Sequence, residues 1–332
     1  MSYLFKYLRH WSMAKRLTPA RLANCLRLAW EFKQRKETVA SYPVVARINA
    51  CPFCNLKCLA CQVIAGREAS RPAEAMTLDR YRHVIAPLSD HLLLVVLYDE
   101  GEPLLNRELP EIVRYTSSLN ISTSISTSLS MELSDRYLRD LAASGLDRIT
   151  VSIDGATQQI YQSYRAGGNL ALVRENLRRL VGFKRRRRAS MHIEVQFLEL
   201  GFNDHEAGAV RSFAAEAGAD GFRSLQSSAW GLERYLAERG LTLGVRDHLR
   251  LGCLDLWGIA HIDSSGLLFP CDFGEDNGLT PLGDLLREDF RELWNGAYLR
   301  GLRAGFSRQD GRLGCSVCKR CPSTNRAPLL LR

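Results

Sequence analysis

From about residue 43 onward, the chain alternates between strand-like and helix-like hydrophobic patterns. Six short apolar segments have strand composition: Val44–Asn49, Leu92–Tyr98, Ser122–Ser128, Arg148–Ile153, His192–Leu198 and Gly221–Leu225. Helical spacing separates them near residues 77–89, 108–118, 132–144, 169–183 and 205–217. This alternation predicts an α/β fold with a mostly parallel sheet covered by helices. Because crossovers between parallel strands are right-handed, such a sheet can curl, and we expect a partial (β/α)6 barrel.

The two ends of the chain have different patterns. Residues 1–42 predict a helical extension with one apolar face, formed by Leu22, Cys25, Leu26, Ala29 and Trp30. We expect this extension to pack on the main domain, and the alternative is contact of the aromatic and basic stretch at residues 3–11 with a membrane surface. After residue 230, the pattern predicts a β-hairpin, with strands over 259–262 and 267–269, and a helix over 284–304. The predicted domains are 1–42, the 43–230 core and a small cysteine-rich 231–332 domain.

Composition and hydropathy exclude a collagen-like, a disordered and a transmembrane protein. Apolar residues make up 46% of the 332 residues and charged residues 24%, as in a globular protein. No apolar run approaches the ~20 residues that span a bilayer, and no secretory signal precedes the core, so we expect a cytoplasmic protein. The net charge is +9. The basic run at residues 184–188 is expected to end a helix, where cations are favoured, and no nucleic-acid partner is expected.

Nine of the ten cysteines fall into two groups. The first lies just past the first predicted strand, at Cys51, Cys54, Cys58 and Cys61. Its order does not match the bacterial ferredoxin spacing, and structural zinc sites usually separate two cysteine pairs by a longer loop. The C-x3-C-x2-C spacing of the last three suits a [4Fe–4S] cluster with one open iron.

This triplet resembles the signature of the radical SAM superfamily. The resemblance implies that Cys54, Cys58 and Cys61 hold a cluster whose open iron binds S-adenosylmethionine. Reductive cleavage then gives a 5′-deoxyadenosyl radical that abstracts a substrate hydrogen atom. The chain departs from the family at Ala60, where an aromatic residue is usual, and by its additional Cys51.

Three further motifs follow the predicted strands in the family's order. Asp99-Glu100-Gly101-Glu102-Pro103 is similar to the segment that receives the methionine amino group. Ser152-Ile153-Asp154 is similar to the ribose-contacting segment, and Arg165 follows it in the next loop. The resemblance implies that the cofactor-binding residues are Gly101, Glu102, Pro103, Ser126, Ser128, Ser152, Asp154 and Arg165.

The second cysteine group resembles the SPASM/twitch extension of radical SAM proteins. Cys253 and Cys271 flank the predicted hairpin, and three more cysteines close the chain. The resemblance implies one auxiliary [4Fe–4S] cluster held by Cys253, Cys271 and Cys318. Its fourth ligand is Cys321, with Cys315 as the alternative. Zinc is the other metal considered for this group.

The expected protein is therefore a radical SAM oxidoreductase or epimerase. Similar family members, aminocyclitol dehydrogenases and aminoglycoside epimerases, suggest a small polyhydroxylated substrate in natural product biosynthesis. Flavodoxin or ferredoxin would donate electrons, and Cys51 or Cys315 is the candidate hydrogen donor. The alternatives are modification of a ribosomal peptide and a non-catalytic zinc-binding module. Strand position suggests four residues near the substrate: His192, Glu194, Gln196 and Trp230.

Overall fold

The computed structural model describes residues 11–59, 61, 74–99, 101–226, 253–271, 280–307 and 318. These residues fall into two compact units. The first takes its residues from Met1–Ile48, Asp79–Val95 and Leu243–Arg332. The second takes them from Asn49–Leu78 and Val96–Thr242. Cys315, Cys321, Trp230 and Ala60 lie outside the described residues, so the predictions for them stay predictions.

In the second unit, parallel strands alternate with helices. The elements are α4 (Leu109–Ser118), β3 (Ser122–Thr127), α5 (Asp135–Ala142), β4 (Arg148–Ser152), α6 (Gln158–Tyr164), α7 (Leu170–Arg187), β5 (His192–Glu199), α8 (Ala207–Ala217) and β6 (Gly221–Gln226). Strands β3, β4, β5 and β6 pair in that order, all in parallel. Each predicted strand in this unit is present, with its ends shifted by no more than one residue.

Three helices of this unit, α5, α6 and α7, begin at capping side chains. Ser134 caps α5 by accepting a hydrogen bond from the backbone N–H of Tyr137 at 3.1 Å. Asn169 caps α7 in the same way. Helix α7 runs through the basic residues to Arg187, as the charge pattern predicts, and Arg188 ends it in the left-handed conformation. Helix α6 is an element that the sequence pattern did not predict.

The first unit holds the amino-terminal helices and the hairpin. Its elements are α1 (Trp11–Ala14), α2 (Pro19–Lys33), β1 (Val45–Ile48), α3 (Leu78–Ile85, of which Leu78 belongs to the second unit), β2 (Leu94–Val96, which ends in the second unit), α9 (Asp255–Gly258), β7 (Ile259–Ile262), β8 (Leu267–Phe269), β9 (Gly283–Asp284), α10 (Phe290–Trp294) and α11 (Ala297–Ser307). Strand β7 pairs in parallel with β1 and antiparallel with β8, which confirms the hairpin. None of the described helices has the length and apolarity needed to cross a bilayer.

Two predictions for the first unit are wrong. The single helix expected over 284–304 is instead strand β9 followed by helices α10 and α11, because Asp289 caps a new helix and Asn295 ends it. The apolar face predicted for α2 does not pack inward. Leu22 and Leu26 are exposed, whereas Arg21, Asn24, Leu28 and Glu31 are buried.

Candidate active site

The loop after β1 carries the first cysteine group. Cys58 is buried, while Cys54 and Cys61 are half-buried. The backbone N–H of Cys61 donates to the Cys58 carbonyl at 3.0 Å, and that of Leu56 donates to Cys54 Sγ at 3.4 Å. Both hydrogen bonds are local to the loop, which carries the three thiols within eight residues.

Burial affects two of the cysteine thiols in this loop. Burial raises the pKa of Cys54 to about 12 and that of Cys51 to about 11. Both thiols are therefore protonated at neutral pH, and a cluster would displace the proton of Cys54 on binding. Cys51 is 1% exposed, and its Sγ donates to the Phe53 carbonyl at 3.5 Å.

Gly101 lies against this loop. Its φ is +80°, and a Cβ built on it would come within 2.1 Å of the Cys51 carbonyl oxygen. Only glycine accepts both the backbone conformation and this approach. The motif that begins at Gly101 is thereby held against the cysteine loop, since the Glu102 N–H donates to the Phe53 carbonyl at 2.9 Å.

The Glu102 carboxylate accepts hydrogen bonds inside the fold. Its Oε2 accepts hydrogen bonds from the backbone N–H and the hydroxyl of Ser128, at 2.8 and 2.9 Å. Its Oε1 accepts from the Leu104 N–H at 3.1 Å, in the 3-10 turn that starts at Pro103. Burial raises the pKa of Glu102, although these hydrogen bonds act against the rise. The structure thus brings together Glu102 and Ser128, while Ser126 lies half-buried on β3.

Arg165 connects two of the predicted motifs. Its Nε donates to Asp154 Oδ2 at 2.6 Å, and its Nη1 lies 3.7 Å from Cys58 Sγ. Asp154 is fully buried, and its Oδ1 accepts from the Leu198 N–H at 2.7 Å. Burial acts to lower the pKa of Arg165, but Asp154 and Cys58 raise it more, so the guanidinium is charged. The geometry places a fixed positive charge beside the Cys58 thiol.

The strands of the second unit have one apolar and one polar face. Cross-strand pairing aligns Ser126 with Thr150, Ser152 with Gln196, and Gln196 with Arg223. The polar side chains on this face are Ser124, Ser126, Arg148, Thr150, Ser152, His192, Glu194, Gln196 and Arg223. Neighbouring positions on the other face, such as Ile149, Val151 and Val195, are completely buried.

Charged groups on the polar face pair with one another. Glu194 Oε1 lies 2.7 Å from Arg148 Nη2, and Glu194 Oε2 lies 3.3 Å from Arg223 Nη2. The same Arg223 nitrogen donates to Gln196 Oε1 at 2.8 Å. Three residues suggested by strand position, His192, Glu194 and Gln196, therefore lie on one polar face.

Sequence reasoning missed the side chains that tie the loops together. Asn106 donates through Nδ2 to the carbonyls of Ala50 and Met76, both at 2.8 Å. Asn203 donates through Nδ2 to the carbonyls of Asp154 and Leu198, at 2.9 and 2.8 Å. Asn106 follows the Gly101 motif directly, which was its available signal. Asn203 had none, because its partner Asp154 is 49 residues away in sequence.

The described cysteines of the second group are half-buried thiols. Cys253 precedes α9, and Cys271 follows β8. Cys318 is described without its neighbours in sequence. Among the described residues, no three His, Cys, Asp or Glu side chains converge closely enough to hold a single metal ion. A tetrahedral zinc site needs thiolates roughly 3.8 Å apart, from Zn–S bonds of about 2.3 Å. Iron–sulfur clusters are held by cysteine thiolates, and the cysteine loop offers three such donors, Cys54, Cys58 and Cys61.

Comparison with known proteins agrees with this donor chemistry. Residues 48–194 match the family model of the radical SAM superfamily, and residues 253–322 match that of SPASM, an iron–sulfur cluster-binding domain. This chain carries a radical SAM domain and a SPASM domain. Its α/β fold and mostly parallel sheet are typical of the partial barrel of radical SAM proteins, which confirms the predicted fold class. The cofactors of such an enzyme are S-adenosylmethionine, a cluster that binds it and an auxiliary iron–sulfur cluster, as predicted.

Individual relatives are distant. An AdoMet-dependent heme synthase of Methanosarcina barkeri is 24% identical over 315 residues, which cover 80% of this chain and 85% of the relative. A probable GTP 3′,8-cyclase of Methanococcus maripaludis is 27% identical over 173 residues, 52% of this chain. The match spans just over half of that cyclase, 56% of its length.

Among solved structures, SuiB of Streptococcus suis bound to the precursor peptide SuiA has a similar fold. The TM-score is 0.64 at 16% identity, covering 92% of this chain and 78% of SuiB. At this identity the similarity concerns the fold alone. The radical SAM enzymes matched here differ in reaction, so the oxidoreductase or epimerase type and the substrate remain proposals.

Proposed function

We propose that this radical SAM enzyme oxidises or epimerises one carbon of a small polyhydroxylated molecule of the sugar or aminocyclitol type. The observation that carries the proposal is the polar strand face of the second unit. Hydroxyl, carboxylate, amide and guanidinium groups alternate there at short distances. Such a surface offers hydrogen-bond donors and acceptors to a substrate rich in hydroxyl groups, and binding sites fix orientation with few polar groups of this kind.

Arg165 is the residue we propose for holding the cofactor's carboxylate. Its Nε is already bonded to Asp154, so the guanidinium is fixed before any ligand arrives. The charge beside Cys58 attracts anionic groups, both a cluster thiolate and a carboxylate. Gly101 and Pro103 would offer backbone groups to the amino group of the same cofactor, while Glu102 and Ser128 hold that segment in place.

When bound, the cluster and S-adenosylmethionine supply the one-electron chemistry that removes a hydrogen atom from the substrate. Cys54, Cys58 and Cys61 are the proposed ligands of this cluster, and flavodoxin or ferredoxin the proposed electron donor. Ser152 ends β4 on the polar face, where it would position the ribose, and Asp154 follows two residues later. Asp154 orients Arg165 directly.

The fate of the substrate determines the type of reaction. The proposed auxiliary cluster, held by Cys253, Cys271, Cys318 and either Cys321 or Cys315, could accept an electron and complete an oxidation. Epimerisation instead requires a hydrogen donor. Cys51 is a poor donor in this fold, because it is buried and its thiol is bonded to the Phe53 carbonyl. This placement supports oxidation, and Cys315 is the remaining thiol candidate for epimerisation.

The first test is the production of 5′-deoxyadenosine from S-adenosylmethionine by anaerobic, chemically reduced protein. We expect Cys58→Ala to abolish it and Cys25→Ala, a half-buried thiol on α2, to leave it unchanged. Turnover of a cyclitol or aminosugar panel in D2O then separates the two reactions. Oxidation turns the attacked carbon into a carbonyl carbon that carries no hydrogen, whereas epimerisation keeps the hydroxyl and introduces one deuterium at that carbon. Cleavage of S-adenosylmethionine by Cys58→Ala contradicts the site assignment, and no turnover of any polyol contradicts the substrate class.

A further inference from the structure

Helix α2 has an inverted distribution of polar and apolar residues. Its inward side is largely polar, and each polar group there is bonded. Arg21 donates to the carbonyls of Arg16 and Ser89, both at 3.0 Å. Asn24 exchanges hydrogen bonds with the backbone of Tyr42, and Glu31 accepts from Ser41. These bonds fix which side of the helix faces the protein.

The outward side of α2 is apolar. Leu22, Leu26 and Trp30 are 48%, 65% and 53% exposed. They are spaced four residues apart, so they form one stripe along the helix, and the exposed Ala29 lies beside it. Leu17, just before the helix, is also exposed. A continuous exposed stripe of this size, unlike single surface leucines, indicates an interaction surface.

Charge is concentrated in the same part of the chain. Residues 1–36 contain nine Lys or Arg and a single acidic residue, Glu31, a net charge of +8. The other residues contain 36 basic and 35 acidic side chains, a net charge of +1. Glu31 is buried and bonded to Ser41, so it does not offset the exposed cations. Almost all of the excess charge therefore belongs to the segment that carries the apolar stripe.

Cations border the stripe directly. Arg27, Lys33 and Lys36 are exposed, and the Lys36 ammonium lies 4.9 Å from the centroid of the Trp30 ring. Leu and Trp on one face with Lys and Arg at its margin is the composition of helices that lie in a membrane interface. Self-association through this face would bring together two segments that each have a net charge of +8, and their repulsion opposes it.

We propose that the outward face of α2 binds the surface of an anionic lipid bilayer. Leu22, Leu26 and Trp30 insert at the level of the headgroups, and Arg27, Lys33 and Lys36 contact anionic lipid. The helix lies along the surface and does not cross it. This attachment would bring the enzyme to substrates or electron donors located at a membrane.

The test is sedimentation of the full-length, cluster-loaded protein with vesicles. One set contains phosphatidylcholine alone and the other about a quarter phosphatidylglycerol. We expect binding to the anionic set that weakens between about 0.1 M and about 1 M NaCl, because salt screens exposed charges. Leu26→Gln/Trp30→Gln should lower the partition coefficient by at least about tenfold, from the loss of buried apolar area. Arg27→Gln/Lys33→Gln should lower it by about fivefold for each cation removed.

Tyr298→Gln is the matched control, because Tyr298 is an exposed aromatic on α11 in the same unit. We expect it to bind vesicles like the unmodified protein. Failure to bind anionic vesicles overturns the proposal, as does equal binding by Leu26→Gln/Trp30→Gln. Self-association that this variant abolishes, without vesicle binding, assigns the face to a second copy and also overturns it. Circular dichroism checks folding, and the Arg27→Gln/Lys33→Gln variant provides the test if the apolar variant unfolds.

Discussion

Two features of the fold require glycine at position 101. Its φ is positive, and the Cys51 carbonyl lies where a Cβ would be. The sequence motif predicted a glycine near the cofactor, but the close approach to the cysteine loop is a property of the folded chain. The same holds for Arg165, whose position in the sequence suggested a carboxylate partner. Its bond to Asp154 and its closeness to Cys58 became visible only in three dimensions.

Gly101→Ala should be severely destabilising, and Gly201→Ala provides the matched comparison. Both glycines have φ near +80°, but a Cβ at Gly201 meets nothing within 4 Å. Gly201→Ala should therefore cost about 1–2 kcal/mol, the strain of the left-handed conformation. Gly101→Ala should cost about 3 kcal/mol or more, because a clash adds to that strain. Thermal unfolding and iron content after reconstitution measure the difference, and equal losses in the two variants would contradict the proposed close packing.

Helix α6 depends on a carboxylate from another element. Glu206 lies in the 3-10 turn Asp204–Glu206, directly before α8. Its Oε2 accepts from the N–H groups of Ala156 and Thr157 at 2.6 and 3.1 Å, and its Oε1 accepts from the Thr157 hydroxyl at 2.7 Å. These groups begin α6, so the carboxylate satisfies N–H groups that the helix leaves open. Thr157 also caps α6 locally, since its hydroxyl accepts from the Ile160 N–H at 3.4 Å, whereas no local sequence pattern indicates the contact with residue 206.

The stability contributed by Glu206 should depend on pH. Burial acts to raise the pKa of Glu206, but the hydrogen bonds from Thr157 and Ala156 outweigh it and lower the pKa below 4.5. A lowered folded-state pKa means that the stabilisation is present above pH 4.5 and is lost as the pH falls through the folded value. Glu206→Gln should cost about 1–2 kcal/mol at pH 7 and less at about pH 3.

Urea unfolding at several pH values measures this effect. Glu216→Gln, which removes an exposed carboxylate on α8, is the control and should change stability by less than about 0.5 kcal/mol at each pH. A cost of Glu206→Gln that stays constant from pH 7 to pH 3 would show that the carboxylate's charge is not what stabilises α6.

The whole molecule combines a radical SAM domain with a SPASM domain, and its metal content should reflect both. Anaerobically reconstituted protein should contain about eight irons, four for each [4Fe–4S] cluster. The Cys54/Cys58/Cys61→Ala variant should keep about four, since the auxiliary cluster has other ligands. About four irons in the unmodified protein and none in the variant would eliminate the auxiliary cluster and, with it, the proposed oxidation. Iron and acid-labile sulfide analysis provides the measurement.

Local sequence patterns were sufficient to predict much of this protein's secondary structure. The six parallel strands, the hairpin and most helices follow from hydrophobic period and capping residues, which act between neighbours in sequence. The cysteine spacing is also a local signal, because one short loop holds Cys54, Cys58 and Cys61. The spacing within the two cysteine groups predicted the radical SAM and SPASM domains. The polar face of β3 to β6 required strand register, which depends on pairing between distant segments.

Helix α2 shows the limit of local patterns most clearly. Its apolar spacing predicted a helix and a stripe of Leu22, Leu26 and Trp30, and both are present. Periodicity does not say which side of a helix faces the protein. Arg21, Asn24 and Glu31 determine that side, because they bond to backbone and hydroxyl partners 68, 18 and 10 residues away in sequence. Buried polar groups need partners, and those partners exist only after the chain has folded.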